Sequence, residues 1–526
     1  MSSSPVPSSK LAIAPPSPWS LTAGWNVITC ADWYKGAHHK LLNPAFQHGI
    51  LFHYVESRGG DFDQIVSAGA SFVAKALSEY TLTTEHIEEA LELFRFHGVS
   101  EEQLGLHFNV TRWEAIITKH GGKLPLCVSA LPDGTVVPPR TPLMTVYNTD
   151  PDFPWLPGYI ESWLLSNVWY MTSVATKSLA MRNTIADGLI ATGDDPAFAE
   201  VMLVDFGVRG VTGGSMGGVV PGPAALGGFA HLMVGKSSDN LPALHFSQRW
   251  GFLAVLTQLP PTPPSILATE HSVMTSFGRE EQEAFAHILD TVGDHVPISI
   301  VMDSYHLFMA ISTLYNQFGD RIKKRTAPIV VRPDSGKPTE IVPQVLAALH
   351  SWFGGTVNEQ GFTVLPDTIR VIQGDGISVD GLKDIVAAVV HAKFSLSNLV
   401  FGSGGGLLQS ATRDTLKFAY KASAAVNTEG VVQLMSKDPV TDPGKKSKEG
   451  FLAVEAGGGD RYTTVVYPTL VDLQASKAPN LLRPYYDKGL LVRFDTLSEM
   501  RGTVNTTLAE AKAAKKRPRE GVAEID

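Results

Sequence analysis

Charged residues and glycines recur directly after short runs of β-branched residues in the second half of this sequence. Arginine forks grip phosphate oxygens in pairs, and carboxylates accept bonds from ribose hydroxyls or hold Mg²⁺ through water. Glycines let backbone N–H groups approach a phosphate. If all these residues meet at one edge, they suit a phosphorylated sugar. They are Asp205, Arg209, Asp303, Arg332, Asp334, Asp375, Gly402, Gly404, Gly405 and Gly406.

Each of these signals also has a plainer structural explanation. The segment GSGGG can be a tight turn between a strand and a helix, and RPDSG can be a Pro-Asp turn. Asp303 can cap a helix. It is their recurrence at successive strand ends that indicates a shared binding site.

His271 lies in the segment SILATEHSVMTS, just before a stretch with helical character. A single histidine is more often structural than catalytic. Here Glu270 and Ser272 flank the ring, and a Pro-rich turn precedes it. These neighbours also suit a nucleophilic or phosphate-contacting histidine, so the residues alone leave both roles open.

Five apolar runs are predicted to be the strands that position these residues. The last four lie roughly thirty to forty residues apart with helical stretches between them, the spacing of βα units. Continuous apolar runs are typical of buried parallel strands, so either a β/α barrel or a doubly wound sheet fits. In both folds ligands bind at the carboxyl ends of the strands. The runs are VMLVDFGVRG (201–210), ISIVMDS (298–304), PIVVRPDSG (328–336), IRVIQGDG (369–376) and LVFGSGGG (399–406).

The N-terminal third has mixed character. Residues 84–97 predict an amphipathic helix with Ile87, Leu91 and Phe94 on one face and Thr84 as its cap. Residues 136–146 predict a proline-interrupted strand at a sheet edge. The run that starts at Ile160 predicts one or two buried helices.

Two further segments carry compositional signals. The Gly/Pro-rich stretch 213–228 is either a mobile loop near the site or an expanded surface loop without function. The C-terminal cluster KKRPR suits either a nuclear-import signal or, as we favour, a solvated and frayed end. We expect residues 1–24 to be a disordered tail and residues 506–526 to be flexible.

Composition excludes several classes of protein. The 526 residues, 44% of them hydrophobic, predict more than one domain. A net charge of −9 argues against broad nucleic-acid binding. We expect Cys30 and Cys127 to be reduced thiols of a cytoplasmic protein, without a disulfide or a zinc cluster. We also expect no membrane span, because no apolar run is long enough.

Several strings together resemble the nicotinamide phosphoribosyltransferase family, in the family's order and at similar spacing. The resemblance covers about residues 25–490 and is far more specific than any single glycine-rich loop. It also includes DWYK at 32–35 and the segment YNTDPDFPWLPGYIESWL. The other strings are DFGVRG, ATEHS, VRPDSG, VIQGDG, FGSGGGLLQSATRD and KDPVTDPGKKSKEG.

The resemblance implies a role for each matching residue. Phe206 and, from the other subunit, Tyr34 stack on the two faces of nicotinamide, while Asp239 accepts a bond from the carboxamide nitrogen and Ser299 assists. His271 matches the histidine that the family phosphorylates with ATP. With Asp239, Asp303 and Asp334 it makes up the catalytic group. The remaining substrate-binding residues are Asp32, Arg209, Arg332, Gly374, Asp375, Gly404, Gly405, Arg413 and Lys421, of which Arg413 and Lys421 reach across the dimer.

The resemblance further implies a phosphoribosyltransferase β/α barrel with a smaller α+β domain, assembled as a homodimer with active sites at the interface. We expect the smaller domain at 25–180, its first strand segment joining the barrel. We expect the barrel at 181–411 and segments that return to both domains at 412–505. The implied ligands are nicotinamide, phosphoribosyl pyrophosphate, ATP and Mg²⁺, the metal being held by pyrophosphate and water.

Three rival interpretations remain. A nicotinate phosphoribosyltransferase shares the architecture, but a carboxylate at Asp239 favours an amide donor and repels a second carboxylate. A non-catalytic signalling or scaffold dimer is disfavoured because the site residues are present. A pyridoxal phosphate barrel needs a lysine at a strand end, and these strand-end strings contain none.

Overall fold

The computed structural model describes residues 24–213, 221–253, 265–457 and 462–516. The predicted N-terminal tail therefore lies outside the described residues, apart from Gly24. Two seven-stranded sheets, one parallel and one antiparallel, organise the described chain.

The parallel sheet contains all five strands predicted from the apolar runs. Its inner strands are mostly buried, as in Ile298–Val301, where every residue is buried, whereas the outermost strand Leu267–Ala268 is exposed. Its two outermost strands are not paired with each other in the described chain, so the sheet is a β/α barrel left open on one side. In spatial order the strands are Ser237–Ser238, Leu203–Asp205, Leu399–Ser403, Ile369–Gln373, Ile329–Arg332, Ile298–Val301 and Leu267–Ala268.

Helices connect these strands and cover them. The 32-residue helix Glu161–Thr192 is the longest of them, and it confirms the buried helix predicted from Ile160 onward. Among the described residues no helix is both long and apolar enough to cross a bilayer. The other helices on this side are Ala199–Met202, Pro223–Leu232, Leu241–Arg249, His271–Thr275, Glu281–Val292, Leu307–Ile322, Pro338–Phe353, Val379–His391 and Gly405–Leu408.

The antiparallel sheet joins the N-terminal part of the chain to its C-terminal part. We expected the first strand to join the barrel, and this was wrong, because Gly49–Ser57 pairs with a strand on each side in this sheet. Eight of its nine residues are buried, so its apolar run looks like a parallel strand. The sheet order is Val432–Leu434, Phe418–Asn427, Gly49–Ser57, Pro142–Asn148, Leu126–Ala130, Arg483–Asp487 and Leu490–Leu491.

Shorter elements complete the described chain. Three two-stranded pairings are Ile65–Val66 with Val136–Val137, Thr356–Val357 with Thr363–Val364, and Phe451–Ala456 with Tyr462–Tyr467. The remaining helices are His38–Leu41, Ala70–Glu79, Thr84–Phe96, Glu101–His107, Val110–His120, Leu156–Tyr159, Leu470–Ala475 and Leu497–Lys516. Short 3₁₀ turns lie at Trp33–Ala37, Pro44–Phe46, Pro196–Phe198, Val208–Gly210, Leu396–Asn398 and Pro443–Lys445.

Two local predictions need correction. The helix Thr84–Phe96 is capped by Thr83 in a capping box with His86, so Thr84 is already its first helical residue. The strand Pro142–Asn148 lies in the middle of the antiparallel sheet and not at an edge, because Pro138 and Pro139 precede it and Pro142 is only its first residue.

The Gly/Pro-rich stretch is only partly a loop. Residues 214–220 lie outside the described chain, whereas Pro223–Leu232 forms a helix whose residues from Ala224 onward are all buried. Pro223 at the first helical position suits a helix start because its missing N–H has no helical partner there.

The predicted flexible segment at 506–526 begins too early. The helix Leu497–Lys516 continues through it, because Val504 and Leu508 are buried on its inner face. Thr507 Oγ1 accepts a hydrogen bond of 3.0 Å from the Val136 N–H. Residues 517–526, with most of the basic cluster, lie outside the described chain.

Truncation of the chain after Asn505 tests this corrected boundary. Loss of Leu508 removes roughly 1.5–3 kcal/mol of apolar burial, and loss of the Thr507 acceptor leaves a buried N–H unpaired. We expect the thermal midpoint to fall by about two degrees or more. Truncation after Lys516 is the control and leaves the midpoint unchanged; equal midpoints for both truncations would contradict the helix's role.

Candidate functional site

The carboxyl ends of four neighbouring parallel strands bring Phe206, Gly402, Gly374 and Arg332 together. A Cβ at Gly402 would overlap the Phe206 ring, so only glycine allows the ring to lie there. The Cβ position of Gly374 is 3.7 Å from both the ring and Arg332 Nε. The guanidinium of Arg332 is 6.0 Å from the ring centroid. These contacts form a flat platform with a cation beside it.

A chain of polar contacts leads from Arg332 to His271. Arg332 donates to Asp334 Oδ1 at 2.9 Å, and the Asp334 N–H donates to Asp303 Oδ2 at 3.1 Å. Asp303 Oδ1 lies 3.0 Å from His271 Nε2, while His271 Nδ1 is 3.9 Å from Asp334 Oδ2. The two carboxylates therefore orient a half-exposed imidazole. Asp303 does not cap a helix, since His306 caps Leu307–Ile322.

Arg332 retains unused hydrogen-bonding capacity. Its Nε is buried and has no hydrogen-bond partner among the described residues. A buried guanidinium N–H without an acceptor is costly, so an anion placed at this edge would gain a ready donor. This property fits a group that binds phosphate or pyrophosphate.

Asp239 lies at the neighbouring strand end, where its N–H donates to the Asp205 carbonyl at 3.0 Å. Ser265 Oγ donates to its carboxylate. Desolvation and the nearby charge of Asp205 raise the pKa of Asp239 to about 6, and Arg332 opposes this shift. Its carboxylate is therefore ionised at neutral pH and accepts N–H donors.

Asp205 is not on the rim where the sequence placed it. Its side chain is fully buried, and it accepts hydrogen bonds from the Gly207 N–H and from Asn240 Nδ2. Burial raises its pKa. It is not available to a ligand at the edge, because its side chain is fully buried and it bonds to the backbone of Gly207 and Asp239.

The glycine turn at 404–406 follows the strand Leu399–Ser403 and begins the short helix Gly405–Leu408. A Cβ at Gly406 would overlap the Ile377 carbonyl, and one at Gly405 would be 3.4 Å from the Gly210 carbonyl. The turn therefore packs closely against two other strand-end loops and requires small residues.

Lys177 supports this turn from below and is a residue that the sequence analysis missed. Its ammonium donates to the carbonyls of Gly406 and Leu407 and to Ser410 Oγ, the last at 2.7 Å. Burial lowers its pKa to about 8. No local motif marks a lysine inside a long helix as a partner of a turn more than 200 residues away, so only the fold reveals it.

Of three further predicted residues, Arg209 and Asp375 lie at these strand ends, whereas Ser299 does not. Ser299 is buried within the strand Ile298–Val301. Arg209 and Asp375 are exposed on the turns that follow their strands. Their positions fit contacts to a ligand bound above the edge.

The structure places Arg413, Lys421, Asp32 and Tyr34 outside this group. Lys421 lies on the antiparallel sheet, where burial lowers its pKa. Arg413 is exposed beside Asp414, and Asp32 accepts from Ser162 Oγ at 3.0 Å. The exposed Tyr34 packs beside His38. Among the described residues of one chain, no hydrogen bond, ion pair or ring contact joins these four to Phe206.

Comparisons with known families cover most of the chain. The model described as Nicotinate phosphoribosyltransferase (NAPRTase) family matches residues 201–489. The model described as Nicotinamide phosphoribosyltransferase, N-terminal domain, matches residues 26–128.

Curated relatives carry one name. The chain is 37% identical over 483 residues to a nicotinamide phosphoribosyltransferase from Xanthomonas campestris pv. campestris. The aligned region covers 90% of this chain and 97% of the relative. It is 32% identical over 403 residues to the protein of the same name from Acinetobacter baylyi, covering 72% of this chain and 76% of the relative.

Solved structures share the fold at lower identity. A nicotinate-nucleotide pyrophosphorylase from Pyrococcus furiosus superposes with a TM-score of 0.58 at 15% identity, covering 97% of this chain and 100% of that one. Human nicotinic acid phosphoribosyltransferase gives a TM-score of 0.51 at 17% identity, covering 91% and 93%. These likenesses confirm the phosphoribosyltransferase fold.

The role of Lys177 is tested by Lys177→Met, which keeps the shape and removes the charge and three hydrogen bonds. We expect affinity for inorganic pyrophosphate to fall about tenfold, because a charge-assisted hydrogen-bond network beneath the turn is lost. Isothermal titration calorimetry measures this, with the exposed Lys383→Met as control. Unchanged affinity in a folded Lys177→Met protein would show that the lysine does not support anion binding.

Proposed function

Because this chain belongs to the nicotinamide phosphoribosyltransferase family, we propose that it joins nicotinamide to the ribose of phosphoribosyl pyrophosphate. The products are nicotinamide mononucleotide and pyrophosphate, a step of NAD salvage. The observation that carries this proposal is the strand-end platform, where the Phe206 ring lies on Gly402 with Arg332 and Asp239 beside it.

The reaction is a displacement at the anomeric carbon of the ribose. The ring nitrogen of nicotinamide attacks that carbon, the bond to the pyrophosphate oxygen breaks, and positive charge develops on the sugar ring. The protein does not need to bond covalently to the sugar, because holding two reactants in line supplies much of the acceleration. Phe206 orients the flat base, and the carboxylate of Asp239 receives its amide N–H.

Positive groups would stabilise the leaving pyrophosphate. Arg332 has a buried, unpaired Nε at the edge, and Arg209 lies exposed on the neighbouring turn. The glycine turn that Lys177 supports would receive phosphate oxygens on its backbone N–H groups. Gly374 and Asp375, on the adjacent turn, would line the ribose phosphate.

A homodimer would complete the site. Tyr34, Asp32, Arg413 and Lys421 do not reach Phe206 within one chain, so they would act in the active site of the other subunit. In that arrangement Tyr34 covers the second face of nicotinamide, and Arg413 and Lys421 add charge next to the phosphates. The exposed positions of Tyr34 and Arg413 support this assignment.

Mg²⁺ would enter with phosphoribosyl pyrophosphate and remain mainly on its pyrophosphate oxygens and water. Asp334 is the best-placed carboxylate to contact such an ion through water, because Oδ2 faces His271 at 3.9 Å while Oδ1 takes the Arg332 bond. Carboxylate oxygens and water are ligands that Mg²⁺ prefers. The ion would neutralise charge on the leaving group.

ATP would serve as a co-substrate through His271. The γ-phosphoryl group would transfer to a ring nitrogen with ADP leaving. If the His271 Nε2–H donates a hydrogen bond to Asp303 Oδ1 at 3.0 Å, the nitrogen with a free lone pair is Nδ1. The phosphohistidine would then lie next to Asp334 and Arg332, where it could strengthen binding of phosphoribosyl pyrophosphate.

Replacement of Asp239 by serine tests both the reaction and its base preference. The intact protein with Mg²⁺ and phosphoribosyl pyrophosphate should convert nicotinamide far better than nicotinate. Because a carboxylate repels the acid and receives the amide, we expect Asp239→Ser to reduce the ratio of the two kcat/KM values by about 100-fold or more. The exposed Asp384→Ser is the control.

The preference for nicotinamide over nicotinate, measured in the same assay, should depend on pH. The raised pKa of Asp239, about 6, means that its carboxylate is present above pH 6 and protonated below it. The amide preference should therefore decline as pH falls through 6. An Asp239→Ser protein with undiminished preference would refute this account, and absence of pyrophosphate release would favour a non-catalytic role.

Labelling tests the role of His271. Incubation with γ-³²P-ATP should leave an acid-labile label on the protein, and His271→Ala should lose it because the only proposed acceptor is gone. His391→Ala, on an exposed helix end, is the matched control. Basal turnover without ATP should survive in both variants. Undiminished label on His271→Ala protein would remove the coupling step.

A further inference from the structure

The carboxylate of Asp205 is fully buried, and Asp205 directly precedes Phe206 in the chain. Oδ1 accepts the Gly207 N–H at 2.7 Å, and Oδ2 accepts Asn240 Nδ2 at 2.8 Å. The backbone carbonyl of the same residue accepts the Asp239 N–H at 3.0 Å. One residue thus bonds to both chain segments that carry the base-binding side chains.

The side chain of Asn240 also hydrogen-bonds to the first residues of two helices. Its Nδ2 also donates to the Ala224 carbonyl at 2.8 Å, at the start of the helix Pro223–Leu232. Its Oδ1 accepts the Ala243 N–H at 3.0 Å and so caps the helix Leu241–Arg249. The amide is fully buried, and all these partners constrain its orientation.

The Ser238 side chain also hydrogen-bonds to Asp205, but it lies outside the segment that Asn240 links to two helices. His231 is the nearest buried titratable ring, and its two nitrogens already face Ser178 Oγ and the Ser237 carbonyl, each at 3.0 Å. Burial lowers the pKa of His231, which favours the neutral ring. Among the described residues no salt bridge involves Asp205, so hydrogen bonds from the Gly207 N–H, Asn240 and the Ser238 side chain satisfy its oxygens.

We propose that Asp205 and Asn240 are a positioning pair that sets base specificity by holding Phe206 and Asp239 at a fixed separation. This inference rests on the proposed function. Phe206 follows Asp205 in the chain and Asp239 precedes Asn240, so the bond between the pair links the stacking ring to the amide acceptor. Neither Asp205 nor Asn240 touches the base.

The experiment uses Asn240→Ser in the full-length protein. Serine still caps the helix through its oxygen but cannot donate to both Asp205 and Ala224. Misplacement of binding groups by about an ångström can cost about 100-fold, so we expect the KM for nicotinamide to rise at least about tenfold. The preference for nicotinamide over nicotinate should fall by a similar factor, with the KM for phosphoribosyl pyrophosphate within about twofold.

Asn109→Ser is the matched control, because Asn109 caps the helix Val110–His120 through an equivalent bond to Arg112 N and lies away from the site. It should leave both KM values and the preference unchanged. If Asn240→Ser does not fold, Asp205→Asn keeps the size, retains the acceptor for Gly207, and should show the same split between the two KM values.

Three results would overturn the inference. Folded Asn240→Ser protein with an unchanged KM for nicotinamide and unchanged preference would show that the pair does not position the base. Equal increases in the KM values for nicotinamide and for phosphoribosyl pyrophosphate would show that the substitution loosens the whole site and does not act on base binding. Failure of the unaltered protein to turn over nicotinamide would instead overturn the proposed function, and the pair's role with it.

Discussion

The contact between the Phe206 ring and Gly402 is the constraint on which the rest of the site depends. Four parallel strands end at one edge, and the missing side chain at Gly402 leaves room for a ring there. The ring then lies beside Arg332 and within one residue of the buried Asp205. Any larger residue at 402 would displace the ring and separate the base from the charged groups that must act on it.

Hydrogen bonds from side chains and from the backbone fix the charged groups around this platform. Arg332, Asp334, Asp303 and His271 form a connected series in which each group limits the freedom of the next. Beneath the edge, Lys177 and Asp205 hold the turns and never reach the ligand. Preorganised groups of this kind stabilise developing charge without reorganising during the reaction.

The sequence predicted the five central strands, because buried parallel strands leave continuous apolar runs. It placed Arg332 and Asp334 near one edge, while the residues alone left the role of His271 open. It could not show which of these carboxylates is fully buried. Asp205 and Asp303 both come at the end of an apolar run, and only the fold brings Asn240 into contact with Asp205. No local pattern in the sequence marks Lys177 as a partner of the glycine turn. The first strand was misplaced because that expectation came with the resemblance, and only the antiparallel pairing of Gly49–Ser57 on both sides shows which sheet it joins.

The most direct measurement is a crystal structure of the protein with nicotinamide mononucleotide. We expect the pyridine ring to lie flat against Phe206, with its carboxamide nitrogen within hydrogen-bonding distance of Asp239 and the phosphate at the edge formed by Arg332 and the glycine turn. A mononucleotide bound with its ring away from Phe206, or its phosphate away from that edge, would contradict the central claim.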